Sequence, residues 1–236
     1  MRPAEALLGS GQIEILGRMP WSSNATFLVE VRDGADVVAA VHKPGRGERP
    51  LWDFPGGLFR RERAAWVVSE LLGWDLVPPT VLREDGPFGP GSLQLFVEAD
   101  PDDHYFTVLD RPVLAPALRR LCAFDVITNA ADRKSGHVLV DPADHVWGID
   151  NGLTFHVEDK LRTVIWDFAG EALAEEVCDA LCHLRRDRHD RELGAELEGL
   201  LSPSEVEVLD ARIDALLRAG VFPIDRTGRR VPWPLV

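Results

Sequence analysis

Between residues 11 and 43, apolar and polar residues alternate with a period of two. QIEIL, ATFLVEV and DVVAAV all show this pattern, which sets apolar side chains on one face of a half-buried strand. Arg32-Asp33-Gly34-Ala35 separates the last two runs, and an Asp-Gly pair favours a tight hairpin. GRMPWSSN, between the first two, is a turn rich in small hydroxyl residues. PGRGERPLWDFPGG, after Lys43, reads as a loop from its proline and glycine content. The period then changes. RRERAAWVVSELLG carries Ala65, Val68, Leu71 and Leu72 on one helical face, with Gly73 as its stop. Pro78 and Pro79 lead into a second strand pair, PTVLRED and SLQLFVE.

From about residue 99 the pattern turns helical. APALRRLCAFDVITNA has apolar residues at helical spacing, HVLVD and HVWGID are two short strands, and the chain from 171 onward is mostly helix. The last helix opens on a capping box, Ser202-Pro203-Ser204-Glu205; Val206, Leu209, Ile213 and Leu216 form its stripe and Gly220 ends it. There is no internal repeat or low-complexity tract. The expected fold class is α+β in two lobes: a strand-rich N-lobe with one helix over residues 1–98, and a mainly helical C-lobe over 99–236. A cleft is expected between them.

Composition narrows the function. With 45% hydrophobic and 28% charged residues in 236, a sizeable core is within reach. The net charge of −13 argues against nonspecific binding to nucleic acid or anionic lipid, both of which need a positive field. No window approaches a membrane span, and the N-terminal apolar run, broken by Glu5, is too short for a signal peptide. Cys122, Cys178 and Cys182 are odd in number and sparse, so a cytoplasmic chain with free thiols is expected. Cys178 and Cys182, near His183 and His189, have a spacing open to metal binding or to a helix with buried thiols. Trp52, Trp66, Trp74, Trp147 and Trp166 are expected to pack. Of 26 basic residues only Lys43, Lys134 and Lys160 are lysines, which marks three places where a compact, adjustable ammonium is kept.

The chemistry concentrates in FDVITNAADRKSGHVLVD, residues 124–141, where Asp125, Asn129, Asp132, Arg133, Lys134 and His137 stand among apolar residues. Charges are costly to bury unless they are paired or bind something, so the stretch is either a solvated turn or the floor of an active site. Asp132 precedes His137 by five residues, and Asp150 follows His137 by thirteen, just past a strand and before Asn151-Gly152. The turn is expected to point Asp150 into the cleft without backbone strain. A loop acid, a metal ligand and a strand-end acid, in that order, suit nucleotide phosphoryl transfer. Lys43 ends a strand and Glu62 begins a helix nineteen residues on, as in a pair that positions phosphates. Each element also has a plain reading: Asp132-Arg133 as a surface ion pair, Asp150-Asn151-Gly152 as a simple turn, Glu62 as a first-turn acid favouring the helix dipole. Asp125 and Asn129 are read as satisfying loop backbone groups.

These stretches, with AAVHKP and RRERAAWVVSELLGWDLVPPT, resemble the phosphatidylinositol 3- and 4-kinase-like atypical kinases, in an actinobacterial branch, and are more distantly similar to HipA-like kinases. The resemblance covers about residues 12–170. It implies a two-lobed kinase-like fold with ATP in the cleft. Lys43 would contact phosphate, Glu62 anchor Lys43, Asp132-Arg133 form the catalytic-loop pair, and Asp150 bind Mg²⁺ or Mn²⁺. The segment from Gln94 through Phe96 to Val97 would hydrogen-bond adenine through its backbone. Two departures stand out. His137 occupies the place of a metal-binding asparagine, and imidazole favours Mn²⁺ over Mg²⁺. WSSN replaces a glycine-rich phosphate loop, leaving Ser22, Ser23 and Asn24 as donors to phosphate. The expected function is an ATP-dependent phosphotransferase acting on a protein or small-molecule acceptor. The alternatives are a nucleotide-binding scaffold without turnover and AMP transfer to a protein. A lipid acceptor is not expected, because no basic membrane-facing segment is present.

Overall fold

The computed structural model describes residues 3–20, 24–228 and 230–235. Its first half is built on one antiparallel sheet with strand order β1-β2-β3-β5-β4. The strands are β1 (Gln12–Arg18), β2 (Phe27–Asp33), β3 (Asp36–Pro44), β4 (Thr80–Arg83) and β5 (Gly91–Leu95). Asp33 pairs with Asp36 across the hairpin, where Gly34 takes φ 60°, a backbone conformation glycine adopts without steric cost. Alternation sorts the faces as the sequence implies. Val29, Val31, Ala40, Val81 and Leu93 turn inward and meet Leu8. Leu8 belongs to a short helix, α1 (Pro3–Ser10), that the sequence reading did not anticipate.

Helix α2 (Leu58–Leu72) ends as expected on Gly73, which is left-handed at φ 66°. It differs from the expectation in two ways. It begins at Leu58, so Glu62 lies in the second turn, where the dipole has little hold. It is also buried around nearly its whole circumference, not along one stripe. The sheet covers one side, and α5 (Glu175–Asp187) and α6 (Glu192–Leu200) cover another. Three charged residues therefore enter the interior, each with partners. Arg61 donates to Thr154 O at 2.7 Å and pairs with Glu205. Arg63 reaches Glu5, Thr80 O and Glu196, and its guanidinium lies 4.0 Å from the Trp66 ring centre. Glu62 belongs to the site described below.

The second half is helical: α3 (Tyr105–Val108), α4 (Ala115–Thr128), α5, α6 and α7 (Pro203–Ala219), with a two-stranded ladder of β6 (Val138–Val140) and β7 (Val146–Gly148). The α7 capping box is present. Glu205 accepts from Ser202 N at 2.8 Å, and Ser202 Oγ accepts from Glu205 N. Val206, Leu209, Ile213 and Leu216 join the main core with Leu118, Leu121 and Phe124 of α4. Of the tryptophans expected to pack, Trp66 and Trp74 are buried, but Trp52 is 97% exposed at the tip of the loop after β3. Cys122, Cys178 and Cys182 are all free thiols. Among the described residues no helix is long and apolar enough to cross a membrane, and no cluster of three or more His, Cys, Asp or Glu could hold a metal.

Candidate active site

Alternation along β3 decides where Lys43 points. His42 is fully buried and its Nδ1 faces Ser92 O at 3.1 Å, so the next residue projects to the opposite face, into the space between the sheet and the helical part. There Lys43 Nζ donates to Glu62 Oε1 at 2.5 Å and to Asp150 Oδ1 at 2.8 Å. Three residues far apart in sequence meet at one ammonium. Burial pulls Lys43 down, but the Asp150 and Glu62 carboxylates outweigh it and hold the ammonium above its usual range. In turn Lys43, against the opposing effect of desolvation, holds Asp150 well below the usual carboxylate range, with help from His137 and Arg133.

Asp150 does not reach this position free of strain, contrary to expectation. Its φ is 58°, in the left-handed region that costs a non-glycine residue about 1–2 kcal/mol. Neighbours over-determine the turn, which is how such a conformation persists. Asn151 N–H donates to Glu62 Oε2 at 3.0 Å, and Asn151 Nδ2 donates to Gly148 O at 3.0 Å. Arg133 completes the clamp: its Nη2 donates to Asn151 Oδ1 at 2.6 Å and its Nη1 to Ile149 O at 2.5 Å. Nε of Arg133 lies 3.0 Å from Asp125 Oδ1, and Thr163 Oγ1 donates to Asp125 Oδ2 at 2.9 Å. Arg133 and Glu62 are each 2% exposed. Glu62 holds Lys43, and Arg133 holds the turn that carries Asp150. Asp132, by contrast, keeps 30% of its side chain exposed, with Lys134 Nζ 3.4 Å from Oδ2. Burial pushes its carboxyl up, Lys134 pulls it back, and Asp150 adds to the rise.

Two cavities meet at Lys43, Thr26 and Asp150. One, of about 360 Å³, has Met19, Val41, Leu95, Phe96, Val97, Leu139 and Ile149 in its walls and His137 at its inner end. The other, of about 380 Å³, is bordered by Asn24, Arg49, Leu51, Glu62, Asp132 and Gly152. Gln94 is a wall of the first: it pairs in the sheet with both Val41 and Thr80, and its Nε2 donates to Thr80 Oγ1 at 2.8 Å. Phe96 N–H is committed to Ala39 O at 3.0 Å. Val97 N–H has no partner among the described residues. Asn24 lines the second cavity, but its Oδ1 accepts from Arg49 N at 3.0 Å. Ser22 and Ser23 lie outside the described residues.

No family model matches the chain. Protein Rv2133c of Mycobacterium tuberculosis is 40% identical over 263 residues, an alignment covering 97% of this chain and 94% of that protein. The chain belongs to the Rv2133c family. Among solved structures, hydra Fam20, determined with sugar, is similar over 91% of this chain and 86% of its own, with a TM-score of 0.54 and 16% identity. The Helicobacter pylori proinflammatory kinase CtkA is similar over 91% of this chain and 94% of its own, at a TM-score of 0.48 and 11% identity. The fold is the two-lobed, kinase-like one. The narrower resemblance to phosphatidylinositol kinases and HipA-like kinases stays an expectation.

In this Rv2133c-family chain, His137 Nε2 lies 3.4 Å from Asp150 Oδ2, the two residues expected to hold a metal. Two ligands each about 2.1 Å from one ion can sit roughly that far apart. Asp150 exposes 52% of its side chain and Asp132 30%, so two hard oxygen donors face the same space. Asp150 is a hard oxygen donor of the kind taken by a divalent ion completed by phosphate oxygens. The imidazole fits less directly. Burial pulls its pKa to about 4, so it is neutral, and Lys134 N–H points at Nδ1 from 3.4 Å, which leaves the ring proton on Nε2 facing Asp150. Ligation by Nε2 requires the other tautomer.

Several residues without an expected site role support the site, and Asn129 among them satisfies loop backbone groups as expected. Asn151, 1% exposed, links Glu62 to Arg133. Asn129 caps α4 at φ 56° and its Nδ2 donates to His156 O and Glu158 O, fixing the segment after the Asp150 turn. Glu48 accepts from Gly57 N and Phe59 N, both at 2.9 Å, and so anchors the start of α2. The C-terminal segment returns to the loop after α4, where Ser135 N–H donates to Leu235 O at 2.8 Å. Asn151, adjacent to Asp150, and Asn129, within residues 124–141, carried a local signal.

Proposed function

We propose that this chain is an ATP-dependent phosphotransferase, with residues 1–98 and 99–236 as its two lobes. One observation carries the reading: Lys43 Nζ bridges Glu62 at 2.5 Å and Asp150 at 2.8 Å where the two cavities meet. An ammonium held charged at that junction is placed for phosphates passing between an apolar chamber and a polar one. The nucleobase occupies the chamber walled by Val41, Leu139 and Ile149, with the unpaired Val97 N–H as its backbone donor. Glu62 and Arg133 hold Lys43 and the Asp150 turn in register. Asp132 accepts the acceptor's hydroxyl proton, a role that its raised pKa suits. Asp150, with His137 beside it, is where Mg²⁺ or Mn²⁺ would be held, and the ion would supply charge neutralisation on the phosphates.

The test is calorimetric titration of ATP with Mg²⁺ and with Mn²⁺, followed by transfer of label from ATP. Lys43→Ala is expected to lose nucleotide affinity or turnover with its fold intact. Unchanged affinity and turnover in that variant refutes the assignment. A second reading, a nucleotide-binding scaffold without turnover, draws on His137, whose ring proton in the observed contacts faces Asp150. In that case ATP binds without metal and no label transfers.

A further inference from the structure

A smaller concavity opens beside Asp132, and the proposed transfer leaves it unused. It holds about 240 Å³ and is lined by Asp53, Asp159, Lys160, Leu161, Arg162 and Arg230. Backbone pairing sets its place. Arg162 N–H donates to Ala130 O at 2.8 Å, Arg133 N–H donates to Arg162 O at 3.0 Å, and a parallel bridge joins Arg133 to Thr163. In that register Arg162 stands alongside Asp132, and residues opposite one another on paired segments share a face. Arg162 Nε is fixed on Ala131 O at 2.9 Å, whereas its two terminal nitrogens have no partner among the described residues.

The other charges differ in how firmly they are committed. Arg230 is taken by Asp159 through contacts of 3.2 and 2.6 Å. Lys160 is held loosely, with Asp53 Oδ2 and Glu158 Oε2 each 3.4 Å from Nζ. A tight charge-assisted bond is about 2.7–2.9 Å, so an entering anion can displace these carboxylates. Asp53 lies on the loop that also brings Arg49 and Leu51 to the cavity containing Asp132, so one loop lines both spaces. In a chain of net charge −13 with three lysines, one is at the phosphate junction and the other two flank Asp132 and this concavity.

We propose that Lys160 and Arg162 form the anion-binding subsite for the acceptor, and that the acceptor is a small hydroxyl compound carrying a phosphate group. The proposal rests on the phosphotransferase reading. A guanidinium with both terminal NH₂ groups free beside a loosely held ammonium suits a dianionic phosphate better than a singly charged carboxylate. The space suits one phosphate-bearing fragment and not a folded partner. In the step itself the acceptor's hydroxyl oxygen bonds to the γ-phosphorus as the bond from that phosphorus to the ADP oxygen breaks. The hydroxyl proton passes to Asp132, and the anchored phosphate does not react.

The experiment is titration of inorganic phosphate, and of acetate in parallel, into the full chain without divalent metal, with ADP affinity measured separately in the presence of Mg²⁺ and of Mn²⁺. One phosphate per chain is expected. Its Kd should rise at least tenfold in Arg162→Gln and in Lys160→Gln, with ADP affinity unchanged and with Arg226→Gln behaving like the parent. Absence of phosphate binding, affinity in either variant equal to the parent's, or acetate binding as tightly as phosphate overturns the proposal. Phosphate binding that needs Arg162 and Lys160 in a chain that does not bind ADP upholds the anion site and refutes the phosphotransferase reading instead.

Discussion

Replacing Asp125 with Asn is the sharpest available test of how the loop after α4 is held. The substitution keeps the shape of the side chain and removes its charge. Asp125 is fully buried and takes the Nε side of Arg133, with Thr163 Oγ1 on its other oxygen. Arg133 is 2% exposed, and its remaining partners, Ile149 O and Asn151 Oδ1, are neutral. Asp125→Asn thus leaves a buried guanidinium without a counter-charge, a change that costs about 3–5 kcal/mol. With a urea slope of about 2 kcal/mol/M, the midpoint should fall by roughly 1.5–2.5 M. The assay is urea unfolding followed by far-ultraviolet circular dichroism, with the slope fitted separately for each variant. The double variant Asp125→Leu with Arg133→Met should recover much of the loss, because both charges leave together. It should not recover nucleotide affinity, since the Asn151 clamp goes with Arg133. A loss below about 1 kcal/mol in Asp125→Asn, or no recovery in the double variant, would refute the reasoning.

Glu205 is held below the usual glutamate range: burial pushes it up, but the Ser202 N–H and the Arg61 guanidinium outweigh that. The stability this contributes is present above the unfolded pKa and lost as pH falls through the folded one. The advantage of the parent over Glu205→Gln in urea unfolding should therefore shrink between neutral pH and the acid range; a constant gap contradicts the pairing. Asp150→Asn should abolish metal-dependent ATP binding, and His137→Asn should keep binding while shifting preference towards Mg²⁺, as read by calorimetry with each metal. Thiol titration in denaturant without reductant should count three, and in the native state exposed Cys182 should react well before buried Cys122, whose thiol is pushed up by burial.

What could be read in advance depended on whether a residue's partner was local. The β2–β3 hairpin and the α7 cap are made by neighbours in sequence, so Asp33-Gly34 and Ser202-Glu205 announced them. Lys43, Glu62, Asp132 and Asp150 were legible as an ordered set, and the structure brings Lys43, Glu62 and Asp150 together. Arg133 was legible as a member of the loop but not as its clamp, because Ile149 and Asn151 are sixteen and eighteen residues away. Arg61 and Arg63 were invisible for the same reason. A charged residue on a helix reads as solvated until its distant partners, Glu205 and Glu196, are known. Trp52 misled in the opposite direction, since bulk alone does not bury a side chain on a loop tip.

The all-round burial of α2 has a consequence for how the protein is made. Synthesis proceeds from the N-terminus, and domains commonly fold as they emerge. Here the sheet and α2 emerge with Arg61 and Arg63 still lacking Glu205 and Glu196, which belong to α7 and α6. The first half of the chain therefore waits on the ribosome with an apolar, partly charged helix uncovered. Contacts closing over 144 and 133 residues make the final docking late and slow. A gene cut between the sheet and the helices should yield two halves that fail separately and regain structure only when mixed. During that interval α2 is the surface a chaperone would have to shield.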